Sequence, residues 1–259
     1  MQNISGFWQD APPNLFDSVD VESFWREFVR SIGGLVVEDA LPEPRLFANA
    51  DFAFPAASVV AELKEIETEF SNSTSFKRGF SNLLERVVLE QPDWRPTLLG
   101  GDGKVPKWFN SELIRLCRPP LSRILKKANL QLRETKQHFE ITSNTGVLLL
   151  VNDGFTSISP YFIQALISEI LLNSYSSISC CVYLTVNRYI DFPEDDEPKL
   201  IWSPKYAETA PDSLVEFVDD LGRQWFNFIE SKLGSFTSRR EIQEPTNILR
   251  GTRAVLIPD

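Results

Sequence analysis

Asp51, Glu62 and Lys64 fall within the stretch DFAFPAASVVAELKEIE, residues 51–67, where two short apolar runs flank Pro55–Ser58. If Pro55–Ser58 is a four-residue hairpin loop, Phe54 pairs with Val59, and counting back sets Asp51 opposite Glu62. Opposed residues on paired strands have Cβ atoms roughly 4.5–5.5 Å apart, and like charges there repel. Two carboxylates converging on one point suit a hard divalent cation, Mg²⁺ or Mn²⁺, which takes oxygen ligands and keeps several waters. Side chains alternate along a strand, so Lys64 shares a face with Val60 and Glu62, while Val59, Ala61 and Leu63 turn to the core. An ammonium on that face can orient an attacking water or stabilise charge developing on a phosphoryl group. The plainer alternative is a surface hairpin with a Glu–Lys pair on its wet face.

The elements around the hairpin follow from periodicity. Asp20 is a candidate N-cap. After it Val21, Phe24, Trp25, Phe28, Val29 and Ile32 recur at helical spacing until Gly33-Gly34 stop the helix. Leu35–Val37 reads as a short strand. A helix from about Ser75 to Glu90 follows the hairpin, then a Pro/Gly-rich loop over residues 91–107. The pattern next predicts a helix over Ser111–Cys117, interrupted by Pro119-Pro120, and a second helix running to about Phe139. Gly146–Val151 and Ile178–Val186 read as strands, Pro160–Leu172 and Ser213–Leu233 as helices, and Ala254–Ile257 as a last strand. Helices alternating with apolar strands predict one α/β domain over residues 1–259, with a central mixed β-sheet flanked by helices. Residues 1–18 form an irregular arm, 19–151 a core carrying the site, and 152–259 a C-terminal α/β elaboration of the same sheet.

Composition narrows the chemistry. A hydrophobic share of 42% with 12% aromatics supplies a real core. His138 is the only histidine, and Cys117, Cys180 and Cys181 lack the spacing of a zinc site or a disulfide framework. GGDGK at 100–104 has neither the preceding strand nor the closing Ser/Thr of a phosphate-binding loop. The start, MQNISGFWQDAPPN, has no basic and apolar leader pattern, and Val147–Val151 is too short to span a bilayer, so the expectation is a cytoplasmic protein without membrane contact. The net charge of −10 argues against indiscriminate nucleic-acid binding. Bases nevertheless concentrate between Lys104 and Lys136, and acids between Asp191 and Asp220, including Glu194–Glu197.

Asp51 followed by Glu62-Leu63-Lys64 resembles the signature of the PD-(D/E)xK, or restriction-endonuclease-like, nucleases. The order of helix, strands, helix and strand fits as well, over residues 20–151. Ala50 stands where the name-giving pattern has proline. The resemblance implies a restriction-endonuclease-like core in which Asp51 and Glu62 hold Mg²⁺ or Mn²⁺ and Lys64 assists attack of water on a phosphodiester. It also implies that the first helix can add a third acid, Glu22 in preference to Glu27.

In LSRILKKANLQLRETKQHF, residues 121–139, Asn129, Arg133 and Lys136 line one margin of the apolar stripe, and Lys127 and Gln131 the other. The resemblance implies that this helix supplies polar contacts to the site, so all five are candidate substrate contacts, with Arg133 and Lys136 as phosphate ligands. The expected function is Mg²⁺-dependent hydrolysis of nucleic acid, DNA in the first instance. A homodimer or a protein partner is compatible with it. The alternative is a catalytically idle relative serving as an interaction module in a defence or repair complex.

Overall fold

The structure is a computed structural model that describes residues 18–42, 47–66, 70–95, 103–143, 145–155, 160–171, 175–190, 198–239 and 241. The expected N-terminal arm up to residue 17, the acidic run 194–197 and the expected strand at 254–257 lie outside these residues.

Helix α1, Val21–Ser31, starts at Asp20, whose carboxylate accepts from Ser23 N at 2.7 Å, a side-chain N-cap. It buries Val21, Trp25, Phe28 and Val29. It ends where Gly33 adopts φ +78° and Gly34 N donates to Val29 O at 2.9 Å, the left-handed stop that glycine provides. Strand β1, Leu35–Val36, runs straight into a short helix α2, Val37–Ala40. Strands β2, Phe52–Phe54, and β3, Val59–Glu65, follow. The turn between them is a 3₁₀ turn over Pro55–Ala57 closed by Ser58 in the left-handed region, so the loop is the four residues expected. Helix α3 spans Thr74–Glu90, capped by Ser73, and α4 spans Lys107–His138. Then come β4, Gly146–Val151, α5, Pro160–Leu171, β5, Cys180–Leu184, β6, Trp202–Tyr206, and α6, Asp212–Leu233.

The six strands form one mixed sheet in the order β1-β2-β3-β4-β5-β6. β1, β2 and β3 are antiparallel neighbours, β3, β4 and β5 are parallel, and β6 closes the far edge antiparallel. Helices α1 and α6 cover one face, over Val59, Ala61, Leu63, Val147 and Leu149. Helices α4 and α5, which make the two parallel crossovers, cover the other, over Val60, Leu148, Leu150 and Cys181. At Gly146 an added Cβ would lie 1.9 Å from Ser177 O, so only glycine lets β4 begin against that backbone.

Three features depart from the sequence expectation. Pro119 and Pro120 lie inside α4, which is one helix of 32 residues instead of two. An interior proline costs a hydrogen bond and a clash of about 3 kcal/mol. The apolar stripe, however, runs in phase across the break, from Phe109 and Cys117 to Leu121, Leu125 and Leu132, and its burial outweighs the loss. β6 was not expected: its residues are all half-buried and include Pro204, which an edge strand tolerates but a sequence pattern reads as a break. Val37, expected in the first strand, opens α2 instead.

Candidate active site

The register is the one that the alternation predicts. Phe54 pairs with Val59 and Phe52 with Ala61, which carries Asp51 to a position opposite Glu62. Asp51 stands one residue before β2, and its Oδ2 accepts from Leu63 N at 2.7 Å. Its own carbonyl accepts from Val37 N at 2.9 Å, so the segment is tied to β3 on one side and to the β1–α2 junction on the other.

Helix α4 fixes the residues just ahead of Asp51. Glu134 Oε2 accepts from Ala48 N at 2.8 Å, Thr135 Oγ1 from Ala50 N at 2.7 Å, and Gln131 Nε2 donates to Asn49 O at 2.9 Å. Three polar side chains on one flank of a helix thus take the place of a strand partner for this backbone. The start of α1 is fixed from the opposite end. Asn187 and Val19 exchange two hydrogen bonds of 2.8 and 2.9 Å, and the half-buried Asp153 accepts from Val186 N and Asn187 N.

Glu62 is fully buried and forms an ion pair with Lys64, which is itself 19% exposed. The face carrying these residues is therefore no wet face: α4 covers it. Burial, with the Asp51 charge next in effect, pushes the Glu62 carboxyl up to about 8, against the attraction of Lys64. Burial also raises Asp51, opposed by the Leu63 N–H and the Lys64 charge. Glu62 Oε2 meets no N–H or O–H donor among the described residues, and the protonated carboxyl of Glu62 shares a hydrogen bond with that of Asp51. Two largely buried carboxyls this close do not ionise together cheaply, and a cation arriving beside Asp51 would lower that cost.

A cavity of about 220 Å³ opens onto Asp51 and is lined also by Glu22, Arg26, Glu38, Asn49, Phe52 and Gln131. Glu22, the preferred third acid, is therefore on the same cavity, held by Arg26 at 2.7 Å. Glu27 turns away and pairs with Lys232 of α6. Glu62 and Lys64 do not line the cavity. Among the described residues no group of three His, Cys, Asp or Glu side chains is gathered for a metal. Of the expected metal ligands, Asp51 and Glu22 line the cavity and Glu62 lies behind them on β3.

The candidate substrate contacts divide. Gln131 is at the cavity, and its buried Oε1 has no partner among the described residues. Lys127, one turn before it, is exposed on the same flank. Asn129 accepts from Ser177 N at 2.9 Å, so its margin of α4 faces the approach to β5, away from Asp51. Lys136 belongs to that margin by spacing and is half-buried, with its amine pushed down by burial; Arg133 is exposed. Neither Asn129 nor Lys136 lines the cavity at Asp51. Arg26, Glu38 and Asn49 were missed. The i,i+4 spacing of Glu22 and Arg26 was a usable signal; Glu38 and Asn49 had none. Comparison with protein-family models, curated proteins and solved structures returned no match.

Proposed function

We propose that the protein is a metal-dependent phosphodiesterase of the PD-(D/E)xK type that hydrolyses nucleic acid, DNA being the first candidate. The observation that carries this reading is the convergence of Asp51 and Glu62 on one face of adjacent antiparallel strands, with Lys64 bonded to Glu62 and a cavity reaching Asp51. The succession α1, β1, α2, β2, β3, α3, α4, β4, with β3 and β4 parallel, supports it by keeping the order of helix, strands, helix and strand that the resemblance implies.

Asp51 and Glu62 would hold Mg²⁺ or Mn²⁺, with Glu22 as an outer ligand through water. The cation would supply Lewis-acid activation of the attacking water and neutralise charge on the phosphate. Asp51 is held ready by the Leu63 N–H, which leaves its second oxygen for a ligand. Lys64 is hydrogen-bonded to Glu62 in the resting protein and, released from it, would donate to the water or to a phosphoryl oxygen. Gln131 offers an amide oxygen beside Asp51 to orient that water. Arg26 holds Glu22 and Glu38 and prevents three acids from leaving the cavity uncompensated.

One observation favours the second reading, an idle relative acting as an interaction module: Glu62 is sealed by Lys64 and absent from the cavity wall. The test is calorimetric titration with Mn²⁺ beside single-turnover cleavage of labelled DNA with Mg²⁺. Asp51→Asn is expected to lose metal binding and cleavage together. Lys64→Ala is expected to keep metal binding and lose about a hundredfold or more in rate. Wild-type protein that neither binds the metal nor cuts any substrate moves the conclusion to the interaction module.

A further inference from the structure

Helix α4 carries eight lysines and arginines against two glutamates, in a chain of net charge −10. Several bases elsewhere are tied to acids, Arg26, Arg30, Arg86, Arg223, Lys232 and Arg239 each forming an ion pair, and on α4 itself Arg115 and Arg118 pair with Glu112 and Glu169. On α4 the exposed Arg123, Lys126 and Lys127 form none among the described residues. Arg133, also exposed, comes no closer than 4.0 Å to Glu134, whose other oxygen is occupied by Ala48 N.

At 3.6 residues per turn these four bases occupy roughly a third of the helix circumference. Their arc is centred opposite Leu121, Leu125 and Leu132, which face the sheet. Leu130, 37% exposed, lies in the middle of it. The band starts at Lys127, beside Gln131 and the cavity, and crosses the top of the helix to Arg133. From Arg123 to Arg133 it covers about 15 Å of axis. Arg123 meets Lys126 at i,i+3 and Lys127 at i,i+4, spacings at which like charges cost roughly 0.2–0.5 kcal/mol each. An acidic protein has counter-charges to spend on these positions and does not. The arrangement is relieved by a polyanion laid over the helix, and its charges are spread too widely to converge on one small anion.

We propose that Arg123, Lys126, Lys127 and Arg133 form a docking surface for a nucleic-acid backbone, separate from the bond being cut and active without metal. The identity of the polyanion rests on the phosphodiesterase reading. The contacts are to phosphates and carry no sequence information, so the surface holds any sequence and delivers the strand to the cavity edge at Lys127 and Gln131.

The experiment is fluorescence anisotropy with a fluorescein-labelled DNA duplex and with its single strand, in EDTA, from about 50 to 200 mM salt. Four phosphate contacts give duplex binding a log–log salt slope of about −3.6, which is roughly a hundredfold loss of affinity over that range. Replacing all four bases by glutamine should weaken binding at the lowest salt by about tenfold or more and flatten the slope towards zero. A control carrying Arg30→Gln, Arg223→Gln, Lys232→Gln and Arg239→Gln should keep the wild-type slope. Equal weakening of both variants, or wild-type protein that binds neither probe, overturns the proposal. Cleavage with Mg²⁺ is read on the same preparations. Protein that binds through the band but does not cut removes the phosphodiesterase reading and leaves the band standing. Protein that cuts, with binding indifferent to the four substitutions, does the reverse.

Discussion

On the α1–α6 face, Trp25 stacks on Trp225 with ring centroids 4.2 Å apart, and the buried sheet residues beneath them are apolar. On the α4–α5 face, β3 sets Glu62 at the same depth as Leu148 and Leu150. The first face carries unmet polar groups too: the indole N–H groups of Trp25, Trp202 and Trp225 have no partners among the described residues. Those are neutral donors at the rim of large apolar rings, whose packing outweighs them. A buried carboxylate is a different magnitude, several kcal/mol unless paired. Stability is gathered on one face, and on the other part of it is given up to keep two carboxyls and an amine at fixed positions.

The largest expected effect tests the first half of that contrast. Trp25→Ala removes a fully buried ring that touches Phe28, Phe52, Trp202 and Trp225. It should cost about 3–5 kcal/mol in denaturant unfolding. Mn²⁺ affinity of the folded fraction should not change, because Trp25 is not among the residues that line the cavity at Asp51. A variant that stays folded but binds the ion more weakly would show that the two faces are coupled through the sheet.

Glu62→Gln tests the second half. The folded protein keeps the Glu62 carboxyl protonated up to about pH 8, from an ordinary value of 4.5. Between those values the folded state holds a proton that the unfolded chain has released, so this group makes stability fall as pH rises. Asp51 is raised as well and acts in the same direction. Glutamine removes the ionisation. The variant should match wild type near pH 4.5 and be the more stable by pH 8, on the order of a few kcal/mol, while losing activity. Thermal melts across that range give the answer. A constant difference between the two proteins would mean that Glu62 is not the costly group the geometry makes it.

The hairpin was legible because both its signals are local. Strand alternation fixes which side chains share a face, and a Pro-Ala-Ala-Ser loop fixes the register, so Asp51 opposite Glu62 follows by counting. The cover over Glu62 was not legible, because α4 arrives from far along the chain and the two prolines within it read as a break. Which margin of α4 meets residues 48–50 was not legible for a related reason. An amphipathic helix has two polar margins, and spacing alone does not say which one faces the sheet edge that carries the acids. Gln131, Glu134 and Thr135 turned out to hold residues 48–50, whereas Asn129 holds Ser177. Arg26 and Glu38 come together only through the turn at Gly33-Gly34, a contact between elements that neither pattern contains.

Thr135 offers the smallest effect and the finest cut between scaffold and site. It is fully buried on α4, and its hydroxyl accepts from Ala50 N, directly before Asp51. Thr135→Val keeps the shape and leaves that N–H unmet, which costs roughly 1–3 kcal/mol. Ser168 on α5 is the matched control: it lies buried on the same face, but its hydroxyl donates at 2.8 Å to Gln164 O within its own helix. Ser168→Ala should cost about 1 kcal/mol or less, with no change in Mn²⁺ affinity. If α4 positions Asp51 through the backbone of residues 48–50, Thr135→Val should weaken Mn²⁺ binding by more than its stability loss explains. The comparison has to be made where both variants are fully folded. Equal Mn²⁺ affinity in the two would mean that the Leu63 N–H alone fixes Asp51. The polar flank of α4 would then serve the core and not the site.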